Sequence, residues 1–294
     1  MNYFEKNLDH VRKLLMREPR GHQGMFGAIL TESADSHADI GVFFITHSGY
    51  LNMCVHSAIG AATACLDTGI ILKPQQGIPV NLETPAGIVS LVPNYEEGSL
   101  KSMTLQSSAI FVHTEEADLD IGLETPVKVS LVFSAVFFVL LDVKQFGMKV
   151  NRENIPELTQ FAVKALKTAN ETFEVRHPHK SDINTIDLAM LYEDIDDHHA
   201  VNAVVSPSGC LDRSPCGAGT GAKTTYLHVL DKLNLNENYV NKSVFGTKFV
   251  GKVIKSVSVG AYKGANATVT GAAFITGFHD FILDEHDPID TGIR

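Results

Sequence analysis

The sequence predicts an α/β (α+β) protein, rich in sheet and organised as two domains. Three observations carry this. The chain has 294 residues, which fits two folding units of about 150 residues each, either able to bury a core. Hydrophobic residues make up 44% and charged residues 20%, with mean hydropathy +0.04, the composition of a globular chain and not of a disordered or fibrous one. Stretches with helical spacing are separated by short runs rich in Val, Ile, Leu, Thr and Phe that Pro and Gly interrupt, the pattern of a sheet-rich mixed fold.

Taken in order, residues 3–16 place Phe4, Leu8, Val11, Leu14 and Leu15 on one helical face. Residues 16–25 are polar with Pro and Gly, and read as a loop. Strands are predicted over 26–31 and 40–45. Residues 57–68 bring Ala58, Ala61, Ala62 and Cys65 to one face, with no charge before Asp67 and Gly69 as the stop, so this helix is expected to be buried. The region 70–150 reads as sheet. Residues 154–170 form a helix with Pro156 in the first turn. Residues 183–206 read as strands around an acidic, solvated turn, followed by a helix over 217–233 and strands through 271–283. The domains are expected at 1–118 and 119–270, with 271–294 returning to the first and the active site between them.

Lys and Arg number 24 against 34 Asp and Glu, a net charge of −10, which argues against a nucleic-acid or anionic-membrane partner. The longest apolar stretch, residues 129–141, is shorter than the roughly 20 residues of a membrane-spanning helix. The first residues lack the apolar core of a signal peptide, so a cytoplasmic location is expected. Four cysteines, Cys54, Cys65, Cys210 and Cys216, are too few for a disulfide scaffold and suit a reducing compartment.

Two of these cysteines lie in matching settings. Cys54 precedes Val-His-Ser-Ala-Ile-Gly, and Cys216 precedes Gly-Ala-Gly-Thr-Gly-Ala; each closes a loop and opens a helix of small residues, 162 residues apart. A helix N-terminus carries unpaired N–H groups and partial positive charge, which favour a thiolate and can hold a carboxylate. A thiol on either side of an amino acid suits inversion at the α-carbon: one thiolate removes the α-proton, the other thiol protonates the opposite face. Cys65 and Cys210 read as packing and loop residues. The run Cys216-Gly-Ala-Gly-Thr-Gly lacks the residues of a phosphate-binding loop. Cys54-x-His56 lacks a companion pair at metal-ligand spacing, since His177-x-His179 and His198-His199 lie in polar, solvated stretches; no metal site is expected.

Asp212-Arg213-Ser214-Pro215-Cys216-Gly217 with Gly219-Thr220, and Met53-Cys54-x-His56 with Gly60, resemble the two cysteine motifs of the proline racemase family. Glu18-Pro19-Arg20-Gly21-His22, Met25-Phe26-Gly27-Ala28, Gly49-Tyr50-Leu51-Asn52, Thr84-Pro85-Ala86-Gly87 and Gly271-x-Ala273-Phe274-Ile275-x-Gly277-Phe278 match it collinearly. The resemblance implies a diaminopimelate-epimerase-like fold of two pseudo-symmetric domains, each a curved sheet around a central helix. It implies cofactor-independent racemisation or epimerisation of proline or 4-hydroxyproline, with a small-molecule substrate as partner and a homodimer as one expected assembly. By the same resemblance Cys54 and Cys216 are the acid/base pair, and His56 and Asp212 hold the ring nitrogen. The backbone at Val55, His56, Gly217 and Ala218 binds the carboxylate, and Phe26 packs on the ring. Family dehydratases lack the second cysteine, which this chain has.

The chain departs from the family in four places. The family pattern starts about forty residues earlier, a length small against a domain. Val55 replaces the glycine of Cys-Gly-His, and a β-branched residue there is expected to resist positive φ. Ser134-Ala135-Val136 replaces Gly-Gly-Asn. Ser206 stands where proline-specific members often have Phe, and can accommodate a ring hydroxyl. Two other readings compete: a hydrolase with one nucleophilic cysteine, and a non-catalytic member of the family.

Overall fold

The computed structural model of the chain describes residues 1–72, 75–284 and 286–293. The residues form two compact units, Met1–Leu105 with Gly271–Arg294, and Gln106–Thr270.

The first unit opens with helix α1 (Asn2–Met16), whose Leu14 and Met16 are buried. Strands β1 (Phe26–Thr31) and β2 (Ile40–Thr46) pair antiparallel, Phe26 opposite Thr46, and the two-residue β3 (Tyr50–Leu51) folds back on β2. β2 pairs parallel with β4 (Val80–Thr84), and β5 (Gly87–Glu96) and β6 (Ser99–Gln106) complete the sheet as antiparallel neighbours. Helix α2 (Val55–Asp67) packs on β1 and β4 and buries Ala58, Ile59, Ala62, Cys65 and Leu66, as its lack of a charged face requires. It starts two residues before the position predicted from its apolar spacing, because Val55 and His56 make the first turn without contributing to the buried stripe. Gly69, at φ +76, supplies the left-handed residue that ends it.

The second unit is a closed barrel. Its eight strands are β7 (Ile110–Leu119), β8 (Val127–Ser134), β9 (Val136–Asp142), β10 (Ile186–Asp196), β11 (His199–Val205), β12 (Asn238–Ser243), β13 (Lys248–Val259) and β14 (Tyr262–Gly271). They are hydrogen-bonded in the order β14-β13-β12-β11-β10-β9-β8-β7, and β14 also pairs with β7, which closes the ring. Alternation divides the strand side chains between two layers. Phe137, Val139 and Leu141 face outward to helix α3 (Ile155–Thr172), which buries Leu158, Ala162, Ala165, Leu166 and Ala169. Phe138 and Leu140 face inward, with Ile110, Val112, Val132, Met190, Val204 and Ala267, to helix α4 (Gly217–Val229).

Helix α4 is buried nearly all round, which its small residues permit. A Cβ on Gly251 of β13 would overlap Thr224 Oγ1, so the barrel wall approaches the helix there at backbone distance. The helix ends four residues before the predicted Leu233, with Leu230 as its cap and Asp231 at φ +56.

The expected α+β class, with sheets curved around buried helices, is the observed architecture, but three local expectations fail. Residues 272–283 form no strand, because a strand exists only as part of a ladder and no pairing involves them; Phe274, Phe278 and Ile282 are more than 80% exposed. His177 is not solvated: it packs edge-on against Phe133, and burial lowers its pKa. The acidic turn is not wholly solvated either, since β10 carries Asp194 to the buried Lys223 of α4. Among the described residues no helix is long and apolar enough to cross a membrane.

Candidate active site

In the first unit, Cys54 is the N-cap of α2, in extended backbone with no side-chain cap bond, and half-buried. Its carbonyl accepts the Ala58 N–H at 2.9 Å, the first bond of the helix, and Val55 and His56 make up the start of the first turn. Val55 is the first helical residue and is absent from the positive-φ positions. The β-branched side chain expected to resist positive φ therefore meets no such demand. The Phe26 ring, at the start of β1, meets His56 edge to face with centroids 4.5 Å apart.

The approach to Cys54 is clamped from α1. The buried Arg12 guanidinium donates from Nη1 to the carbonyls of Thr46 and His47, each at 2.9 Å. Its other face meets Asp9 at 2.6 Å, and Tyr50 O–H donates to the same carboxylate at 2.8 Å. These donors, Arg12 first, hold the Asp9 carboxyl well below the usual carboxylate range. Arg12 thus fixes the turn between β2 and β3, three residues before the segment that reaches Cys54.

In the second unit, Cys216 is the N-cap of α4 and 7% exposed. Its backbone is left-handed, φ +59 and ψ +111, and its Sγ accepts the Gly219 N–H at 3.3 Å. A Cβ on Gly219 would stand 3.3 Å from that sulfur, so glycine leaves the thiol its space. Gly217 and Ala218 occupy the first turn, as Val55 and His56 do in α2. Both cysteines therefore cap buried helices of 13 residues.

Upstream of Cys216, Asp212 returns to β11 by donating its N–H to the Val204 carbonyl at 2.8 Å, and its carboxylate accepts the Ser214 N–H at 2.8 Å. Ser206 opens the intervening loop: its N–H donates to Cys210, its Oγ accepts the Cys210 N–H at 3.3 Å and lies 2.9 Å from Ser208 Oγ. Cys65 is fully buried and Cys210 partly so, and burial pushes both thiols up, as suits packing residues.

The structure thus brings Phe26, Cys54, Val55 and His56 together in one unit, and Ser206, Asp212, Cys216, Gly217 and Ala218 in the other. Sequence reasoning missed Arg12, which holds the first loop, and Asn202 and Asn241, which hold the second; Ser214 and Thr220 were named only as members of the cysteine motif. A polar Asn inside the apolar run Ala-Val-Asn-Ala-Val-Val was the available signal for Asn202.

Comparison with known proteins gives consistent matches. The family model for proline racemase matches residues 1–294. A proline racemase of Clostridioides difficile is 36% identical over 292 residues, covering 99% of this chain and 87% of the relative. A trans-3-hydroxy-L-proline dehydratase of Bacillus cereus is 32% identical over 292 residues, covering 99% and 87%. The crystal structure of a hydroxyproline epimerase from Agrobacterium vitis, with bound trans-4-hydroxy-L-proline, superposes with a TM-score of 0.86 at 26% identity, covering 97% of this chain and 82% of that one.

Proposed function

The chain belongs to the proline racemase family, and from that premise we propose that it inverts the α-carbon of proline or 4-hydroxyproline, with Cys54 and Cys216 as the acid/base pair and no cofactor. The observation that carries this reading is that each cysteine is the N-cap of the buried helix of its unit. A thiol there stands at the helix end whose first-turn N–H groups can hold a carboxylate, the placement that abstraction of a proton next to that carboxylate requires.

One thiolate takes the α-hydrogen as a proton, leaving a carbanion conjugated with the carboxylate. The other thiol delivers its proton to the opposite face, and the two exchange roles in the reverse direction. Stabilisation of the carbanion falls to the first-turn N–H groups of Val55, His56, Gly217 and Ala218 around the carboxylate. His56, braced by Phe26, and Asp212 hold the ring nitrogen. The Ser206 hydroxyl is the group set to meet a ring hydroxyl, which favours 4-hydroxyproline among the two substrates. The presence of Cys216 favours inversion over the dehydration named for some relatives, since the family dehydratases lack that cysteine.

The test is exchange of the α-hydrogen with deuterated water, measured on L-proline and trans-4-hydroxy-L-proline side by side. Exchange with inversion is expected on at least one of them without added cofactor. Cys54→Ser and Cys216→Ser are each expected to lower the rate at least about a hundredfold, the usual worth of a positioned acid or base. Wild-type rates within tenfold in either variant would refute the two-thiol mechanism. Binding of pyrrole-2-carboxylate with no exchange would point instead to a non-catalytic member of the family.

A further inference from the structure

We infer that Asn202, Asn241 and Thr220 form a buried latch that sets the backbone conformation of Cys216, and that they are positioning residues for its thiol. The inference rests on the function proposed above, but its geometry does not depend on it.

The peptide plane between Pro215 and Cys216 is anchored at both polar atoms. On one side, the Pro215 carbonyl accepts Asn202 Nδ2–H at 2.7 Å, Asn241 Nδ2–H at 3.2 Å and Thr220 Oγ1–H at 3.4 Å. On the other, Cys216 N–H donates to Ser214 Oγ at 3.0 Å. Asn241 also donates to Thr220 Oγ1 at 3.0 Å, which ties the amide to the helix. A peptide plane is rigid, so fixing both its ends leaves rotation about N–Cα of Cys216 as the remaining freedom. The helix takes that up: the Cys216 carbonyl accepts the Thr220 N–H at 2.8 Å. The result is φ +59, a conformation that a residue with a Cβ holds only when its surroundings over-determine it.

The arrangement is also costly where it sits. Asn202 and Asn241 are 1% and 0% exposed, on the adjacent strands β11 and β12. Their amide oxygens are buried without a hydrogen-bond partner among the described residues. A core selected for stability alone avoids such groups. Here both NH2 groups are turned to one carbonyl, and the unpaired oxygens follow from that orientation. The donor assignment is forced, since only the NH2 side of an amide can bond a carbonyl.

The latch is tested with Thr220→Val, which keeps the shape and removes the hydroxyl, Thr220→Ser, which keeps the hydroxyl, and Asn202→Ala. Two readouts are taken: α-hydrogen exchange kinetics, and amide hydrogen exchange of the peptide 213–220 by mass spectrometry. Thr220→Val and Asn202→Ala are expected to lower kcat about 10- to 100-fold with KM within about threefold, as sub-ångström misplacement of a reacting group does. The amides of Cys216 and Gly219 should exchange at least about tenfold faster in both, from the loss of local protection. Thr220→Ser should remain within about threefold of wild type on both readouts. Equal losses in Thr220→Val and Thr220→Ser would overturn the latch in favour of methyl packing. Unchanged amide exchange in Thr220→Val would overturn it as well. If the wild type inverts neither substrate, the functional reading falls, and the amide-exchange arm decides the latch alone.

Discussion

Lys223 is a charged residue whose side chain is almost wholly buried. Its side chain is 1% exposed on the central helix of the barrel, about 10 Å along the axis from Cys216. Nζ lies 3.1 Å from Asp194 Oδ2 and 3.3 Å above the Tyr192 ring, at the wall of a cavity of about 650 Å³. Burial pushes its pKa down to about 8 from 10.5, with the Asp194 carboxylate opposing. Below pH 8 the amine is charged in both the folded and the unfolded chain, and the folded state carries the full desolvation cost. Between pH 8 and 10.5 the unfolded chain binds the proton more tightly, so stability rises with pH. From pH 7 to 9.5 that rise is about 2 kcal/mol, taking 1.36 kcal/mol per unit of pKa shift.

Other groups move the other way. Burial raises Cys65, Cys210, Tyr192, Tyr226 and Tyr239, and each of these loses stability as the unfolded chain ionises first. Lys223→Met separates the contributions, because those groups remain in the variant and cancel in the difference. Urea unfolding of both proteins at pH 7, 8, 9 and 9.5 is the assay. The wild type is expected to gain about 2 kcal/mol on the variant across the series. Parallel curves, or a gain of the variant on the wild type, would refute the reading of Lys223 as a buried, desolvated amine.

Two further outcomes follow from the barrel backbone. Gly251→Ala places a methyl group over Thr224 Oγ1 and 3.2 Å from Thr220 Cγ2, both on α4, and Thr224 Oγ1 can give way only by losing its 2.7 Å bond to the Thr220 carbonyl; a loss of about 3 kcal/mol is expected in thermal or urea unfolding, at the upper end of overpacking costs. Ala135, in the turn between β8 and β9, holds φ +65, a conformation that costs a residue with a Cβ; Ala135→Gly should stabilise by about 1 kcal/mol, read as a raised urea midpoint with unchanged slope.

Much of the site could be read without coordinates. The small-residue helices, their starts near Cys54 and Cys216 and the stop at Gly69 are local features, set by side-chain spacing within a turn or two and by capping. The family motifs placed Phe26 and His56 around one substrate, but their direct contact was not legible, since the two lie on different elements. The limit appears at residues 272–283, whose apolar content resembles a strand but which find no ladder to join. It appears again at His177, which is buried once the barrel closes, and at Asp194, half-buried where it meets Lys223.

The sequence by itself determined the class of fold, the two buried helices and which two of the four cysteines open them. Only the tertiary structure decided how those cysteines are held. Cys216 owes its left-handed backbone to Asn202 and Asn241, brought to Pro215 from neighbouring strands that are 39 residues apart in sequence. The turn before Cys54 is held by Arg12, 34 and 35 residues upstream of the carbonyls it binds. Propensity and periodicity act over a few residues, whereas a hydrogen bond to a buried carbonyl depends on which strands become neighbours, and that is fixed when the sheet curves around its helix and closes.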